Sequence, residues 1–196
     1  MLRIDFGCGD NLKKGFEGVD IRPLKGVKHQ CAAWDIPSKI KPGSVDEIYC
    51  SHLLQYLTLP QVHTTLQSWH HILKEGGVAQ IIVPDFTYWA RRLVDENPSD
   101  PGVVDPNIPI MQEAIWNLWG RQRYGFEETW DVAKSGFTFP LLSGMLRKNN
   151  FKTVFRVNED KPWEMNILTQ KRGAQQEKEC AEHLYALERQ KSKANS

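Results

Sequence analysis

The sequence predicts an α/β domain built on a mostly parallel sheet, and three observations carry that prediction. Short apolar runs stop at a glycine or a polar residue: "LRIDF" before Gly7, "FEGVD" ending in Asp20, "VDEIYC" before Ser51, and "VAQIIV" before Pro84-Asp85. An amphipathic helix separates the last two, which is the rhythm of strands joined by crossovers within one sheet. Farther on, "FKTVFRV" and "EMNILTQK" flank "NEDKPW", the pattern of an antiparallel hairpin.

Taken in order, Leu2–Phe6 reads as a short buried strand halted by glycines. A second strand is expected over Glu17–Ile21, a weaker third near His29–Ala33, and a fourth around Glu47–Cys50. The helix opens at Thr58, whose pairing with Gln61 forms a capping box, and Pro60 falls in the first turn where a missing N–H does no harm. Val62, Leu66, Trp69 and Leu73 recur at helical spacing, and Gly76-Gly77 are expected to end the helix. "VAQIIVPD" is apolar enough for the centre of a sheet. The stretch Asp95–Pro109 contains Pro98, Pro101, Pro106 and Pro109, which predicts a loop. Gln112–Trp119 reads as a short helix, and Thr138–Asn149 as a better one with Phe139, Leu142, Met145 and Leu146 on one face. From Gly173 the chain is charged, with Leu184 and Leu187 as a narrow apolar seam, and reads as an exposed helix. The division expected is a domain over 1–172, with 86–137 as a substrate or lid insertion, and a tail over 173–196.

Composition narrows the function. A chain of 196 residues is long enough for one domain with a sizeable core, and 40% hydrophobic with 25% charged residues suits a soluble globule. A net charge of +1 gives no pull toward nucleic acid or an anionic membrane. No apolar run approaches bilayer length, and Asp5 interrupts the stretch where the apolar segment of a signal peptide would continue. Cys8, Cys31, Cys50 and Cys180 form no CxxC pair and no metal spacing, which suits reduced thiols in a cytoplasm. His70-His71 share a helix but point about 100° apart, so no metal site is expected. A monomer or homodimer is expected.

In parallel α/β sheets, ligands bind beyond the carboxyl ends of the strands. Gly7 and Gly9 follow the first strand and let a ligand approach the backbone. Asp20 closes the second, where a carboxylate can accept both hydroxyls of a ribose. Asp35 and Ile36 follow the third, Ser51 and His52 the fourth, Pro84 and Asp85 the fifth. Each is common alone; the ordered set is not. A dinucleotide site needs a third glycine where Leu12 stands, and the chain between Gly9 and Glu17 is too short for the helix whose N-terminus would hold a pyrophosphate.

The chain resembles the class I S-adenosylmethionine-dependent methyltransferases. "LRIDFGCGD" is similar to their first motif, "GVDI" to the acidic second, "WDIP" to the third, "VDEIYCSHLLQYL" to the fourth, and "LQSWHHILKEGGVAQIIVPD" to the helix-to-strand motif near the end of the core. The nearest likeness is to a small subgroup with a shortened first crossover reading "GCG…G…VDI". The resemblance implies a Rossmann-like, seven-stranded sheet whose last strand is antiparallel. It also implies that Asp5, Gly7, Cys8 and Gly9 surround the methionine part of S-adenosylmethionine, Asp20 and Ile21 the ribose, and Asp35 and Ile36 the adenine, with Ser51 and His52 near the transferred methyl. Asp10-Asn11 stand where the family usually has a further glycine.

The expected function is in-line methyl transfer from S-adenosylmethionine to a small-molecule or saccharide-type acceptor, with His52 as the catalytic candidate. The sulfonium already carries its leaving group, so the protein must mainly position donor and acceptor. Trp89, Arg92, Arg121 and Tyr124 are the substrate-binding candidates, since aromatic rings beside arginines suit a ring with an anionic group. As core tryptophans and solvated arginines, the same residues would need no ligand. The alternative of another class is a non-catalytic protein that binds S-adenosylmethionine and uses 110–137 or the tail to engage a partner.

Overall fold

The computed structural model describes residues 1–95, 97–123, 130–157 and 160–172. Seven strands form one sheet: β1 (Arg3–Phe6), β2 (Glu17–Asp20), β3 (Val27–Gln30), β4 (Val45–Ser51), β5 (Leu73–Pro84), β6 (Phe151–Arg156) and β7 (Glu164–Lys171). Their spatial order is β3-β2-β1-β4-β5-β7-β6. β7 runs antiparallel to β5 and β6, and the other pairings are parallel. The helices are α1 (Leu59–Ile72), α2 (Phe86–Asp95), α3 (Ile110–Trp119) and α4 (Phe139–Lys148). The tail expected to be helical lies outside the described residues.

Most elements fall where the sequence places them. Thr58 caps α1 with the full capping box, and Thr138 caps α4 through the Leu141 amide. Three differ. β3 starts before the expected His29 and ends at Gln30. α1 stops at Ile72 because Leu73 turns extended to pair with Val45, so Gly76 and Gly77 lie inside β5. α2 forms where an insertion of unstated structure was expected, nucleated by Asp85, whose carboxylate accepts the Thr87 and Tyr88 amides at 2.9 and 3.3 Å.

Alternate residues of a strand face opposite ways, and the sheet's two faces differ accordingly. On one, Ile4, Phe6, Ile48, Cys50, Ile81 and Val83 join Leu66 and Trp69 of α1 and Leu142 and Leu146 of α4 in a single core. The Phe6 and Trp69 rings lie 5.0 Å apart. Burying each such side chain contributes about 1.5–3 kcal/mol. On the other face Asp5, Tyr49, Gln80 and Asn166 alternate with them. Among the described residues no helix joins β1 to β2 or β2 to β3. The loop after β1 lies there instead, with Lys13 Nζ 3.7 Å from the centre of the Tyr49 ring and 3.2 Å from Gln80 Oε1. α2 and α3 form a second, smaller core of Trp89, Ile110, Ala114 and Leu118. Among the described residues no helix is long and apolar enough to cross a membrane.

Candidate active site

The strand order reverses direction between β1 and β4, so their carboxyl ends diverge and leave a crevice. The turn after β1 closes it from below. Gly7 has φ +67°, and a Cβ there would stand 2.9 Å from Leu53 Cβ. The Gly7 and Cys8 amides both donate to the Val19 carbonyl, at 2.8 and 3.3 Å, which ties the turn to β2. Asp20, at the end of β2, accepts the Gly9 amide at 3.1 Å and the Arg22 amide at 3.0 Å. Arg22 Nε and Nη2 reach the same carboxylate at 3.1 and 3.2 Å. Burial raises the Asp20 carboxyl, but the Arg22 and Gly9 donors outweigh it and hold the group below the ordinary carboxylate range.

Gly7, Asp20, Ile21, Trp34, His52 and Leu53 line a cavity of about 310 Å³ in this crevice. An apolar annex of about 70 Å³ opens beside it between Cys31, Ala33, Trp34 and Leu57. A second cavity of about 290 Å³ lies under α3 and the hairpin, walled by Trp116, Asn117, Arg121, Trp163 and Glu164. His52, Tyr56 and Arg123 line both. Two buried carboxylates hold the walls of these cavities. Glu113 accepts the amides of Val103, Val104 and Asp105, at 2.8, 3.2 and 2.6 Å, pinning the proline-rich loop to α3. Asp131 accepts the Arg123 amide at 3.2 Å and Nε at 3.0 Å.

His52 stands at the junction. Its φ of 56° is left-handed, an uncommon state for a residue with a Cβ and one that costs on the order of 1 kcal/mol. The Ile82 carbonyl holds its amide at 2.8 Å. Ser51 Oγ lies 3.0 Å from Nδ1, and Glu164 Oε1 lies 3.3 Å from Nε2. The hydrogen bond from His52 lowers the Glu164 carboxyl against the effect of its burial.

The structure therefore brings Gly7, Asp20, Ile21 and His52 to the first cavity, with Gly9 bonded to Asp20 and Ser51 to His52. Other residues of the predicted set lie elsewhere. Asp5 is buried beneath the turn, accepting the Lys13 amide at 2.8 Å. Cys8 is buried, and burial first, then Asp5 and Asp20, pushes its thiol up to about 11, which leaves it un-ionised. Asp35 is exposed and Ile36 lies in the core; the neighbouring Trp34 reaches the cavity in their place. Of the substrate candidates, Arg121 lines the second cavity, its guanidinium 5.1 Å from the Trp116 ring centre. Trp89 is fully buried with Nε1 on the Trp163 carbonyl, so it packs α2 against α3 rather than facing a ligand. Arg92 lines a separate open hollow of about 680 Å³ with Asp85 and Arg156. Tyr124 lies outside the described residues. Sequence reasoning missed Tyr56 and Glu164. Tyr56 lies within the fourth motif's stretch; Glu164 gives no local signal, because only the antiparallel direction of β7 brings its first residue to this end of the sheet.

No family model matches the chain, and no curated protein is similar to it in sequence. Solved structures are similar in fold. A protein from Bordetella parapertussis superposes with a TM-score of 0.57 at 14% identity, covering 88% of this chain and 62% of its own. An S-adenosylmethionine-dependent methyltransferase from Archaeoglobus fulgidus gives 0.56 at 14% identity, covering 87% of this chain and 86% of its own. This is the class I methyltransferase fold. A third structure with it is the 1,6-didemethyltoxoflavin-N1-methyltransferase of Burkholderia thailandensis, with bound 1,6-didemethyltoxoflavin and S-adenosylhomocysteine, at a TM-score of 0.53 and 15% identity over 88% of this chain and 71% of that enzyme.

Proposed function

We propose that the chain is an S-adenosylmethionine-dependent methyltransferase, with the donor in the Asp20 cavity and a small-molecule or saccharide-type acceptor in the Trp116 cavity. The observation that carries this reading is the shared wall: two ligands in these cavities would meet at His52. The residues present suit the donor. The turn at Gly7 lets a ligand approach the backbone, which a Cβ against Leu53 would oppose. Asp20 presents a carboxylate held by amides, suited to the two ribose hydroxyls once the Arg22 side chain swings aside. The apolar annex between Ala33, Trp34 and Leu57 suits the flat ring face of an adenine.

Bound S-adenosylmethionine would supply a methyl group on a positively charged sulfur. The protein's part is to orient, to exclude water and to hold a proton. Trp116 and Trp163 offer ring faces in the acceptor cavity, and Arg121 offers a cation at its edge. Calorimetric titration with S-adenosylmethionine, S-adenosylhomocysteine and NAD tests the reading. Micromolar binding of the two sulfur ligands, weakened about 30-fold in Asp20→Ala, is the expected result. A preference for NAD, or no binding, would overturn it.

A further inference from the structure

Resting on the methyl-transfer reading, we propose that Gln55 is the specificity-determining residue of the second cavity, and that the methyl acceptor presents an N–H or O–H group to its side-chain oxygen. The class that follows is a small molecule rich in hydrogen-bond donors, such as a polyhydroxyl compound or an amide, rather than an apolar or fully alkylated one. The group that Gln55 reads need not be the atom that is methylated.

Gln55 is only 4% exposed, and no described residue donates to its buried Oε1. Nearly every buried polar side-chain atom in a folded protein has a partner, and one left bare costs about 1–3 kcal/mol. Of the two cavities that meet at His52, Gln55 lines only the second. The backbone beneath it is fixed. Gln55 lies in a single 3₁₀ turn, Leu54–Tyr56, and its carbonyl accepts the Lys134 and Ser135 amides at 2.8 and 3.1 Å. Ser135 Oγ lies 3.2 and 2.9 Å from the Leu54 and Leu57 carbonyls. Held there, the turn cannot carry the side chain to a partner elsewhere. The last torsion of a glutamine is broad, so rotation of the amide turns its oxygen to a ligand in the cavity.

The surroundings fit that role. Burial raises the Tyr56 phenol and the Gln55 side-chain amide works against it, which puts the amide beside a group that lines both cavities. On α3, Asn117 spends an amide hydrogen on the Glu113 carbonyl at 2.9 Å, and no described residue donates to its side-chain oxygen. Asn117 lines the same cavity, so a second oxygen awaits a donor on another wall. A methyl acceptor with N–H or O–H groups satisfies oxygens that the fold leaves bare, and one without them strands both. Sites built to hydrogen-bond a ligand reject its donor-free analogue far more strongly than an apolar pocket rejects an added methylene.

The test has two arms, both on the full chain. Gln55→Met replaces the amide with an apolar side chain of similar size. Without ligand it should melt about 2–4 °C above wild type, because a bare oxygen is removed, whereas loss of a structural glutamine would lower the melting temperature. In the second arm, saturation-transfer NMR with S-adenosylhomocysteine in excess compares benzamide with N,N-dimethylbenzamide, phenol with anisole, and methyl glucoside with its permethylated form. The donor-bearing member should bind about tenfold more tightly in at least one pair, and the preference should fall to within about twofold in Gln55→Met. A lower melting temperature in Gln55→Met, no preference in any pair, or a preference that survives the substitution would overturn the proposal. S-Adenosylhomocysteine affinity separates the two claims. It should stay within about twofold in Gln55→Met, which does not line the donor cavity; a larger loss would place Gln55 on the donor and overturn its assignment. Failure of wild type to bind S-adenosylhomocysteine sinks the methyl-transfer reading, while melting and the probe pairs, run on the free chain, still decide the role of Gln55.

Discussion

The two cavities that meet at His52 are built by different means. The donor side is local: Gly9 to Asp20 spans 11 residues and Asp20 to Arg22 spans 2, so one turn and one strand end organise the carboxylate. The acceptor side is assembled from segments distant in the chain. Tyr56, Trp116 and Trp163 line one cavity from three separate segments, and Glu164 reaches His52 from the final strand. A site organised by backbone turns can be damaged at one residue without loosening the fold. A site walled by separate segments cannot, and the contrast is probed by cutting one contact on each side.

Glu113→Ala should have the largest effect. It leaves the amides of Val103, Val104 and Asp105 without their buried acceptor. The expected loss is ~3 kcal/mol of stability in urea unfolding. S-Adenosylhomocysteine affinity measured on the folded fraction should stay close to wild type. A fall in affinity as large as the fall in stability would show that the two sides are one cooperative unit.

Gly7→Ala is the matching cut on the donor side. It puts a Cβ 2.9 Å from Leu53 on a backbone at φ +67°. About 2 kcal/mol of strain is expected, and it should appear mainly as weaker cofactor binding, because the same turn forms the cavity floor. Calorimetry and thermal unfolding run on the same preparation separate the two effects. An unchanged affinity would remove the turn from the ligand's contacts.

The same contrast explains what the sequence made legible. The sheet could be read because each strand ends in a local stop, and α1 because Thr58, Pro60 and Gln61 mark its start. The donor side followed, since Gly7 and Asp20 sit directly past strand ends. Asp35 was a near miss: the turn that it opens exposes its own side chain and turns Trp34 inward. On the acceptor side, Trp89 has the composition of a ligand contact but becomes the centre of the α2–α3 core, because only the packing of those helices decides which aromatic is covered. Glu164 was invisible for the same reason, being placed by strand direction rather than by any neighbour in sequence.

Asp20 and Arg22 offer a smaller and signed test within the donor side. Asp20→Ala should weaken S-adenosylhomocysteine binding by about 2 kcal/mol, or ~30-fold, through lost charge-assisted hydrogen bonds. Arg22→Ala should act oppositely, tightening binding by roughly twofold to fivefold, because the guanidinium now covers the carboxylate that the ribose would use. Titration of both variants checks the pair. Weakening by both would mean that Arg22 holds the ligand rather than competing with it.

The smallest effect separates two carboxylates of the donor side whose surroundings differ. Asp20 is held below the ordinary range by its donors, whereas burial raises Asp5 from 3.8 against the Lys13 amide and charge. The signs are opposite. Asp20 adds stability that is present above its unfolded value and lost as pH falls through its lower folded value. Asp5 folds more readily when protonated, so its penalty is absent at low pH and grows as pH rises through the unfolded value toward the folded one. Asp5→Asn keeps an oxygen for the Lys13 amide and removes the charge. It should be slightly more stable than wild type at about pH 7, with the gain vanishing at about pH 3, while Asp20→Asn should show a deficit that shrinks over the same interval. Urea unfolding of the two variants at both pH values reads this directly. A loss of stability in Asp5→Asn at neutral pH would mean that the ionised carboxylate's grip on the loop after β1 outweighs its burial.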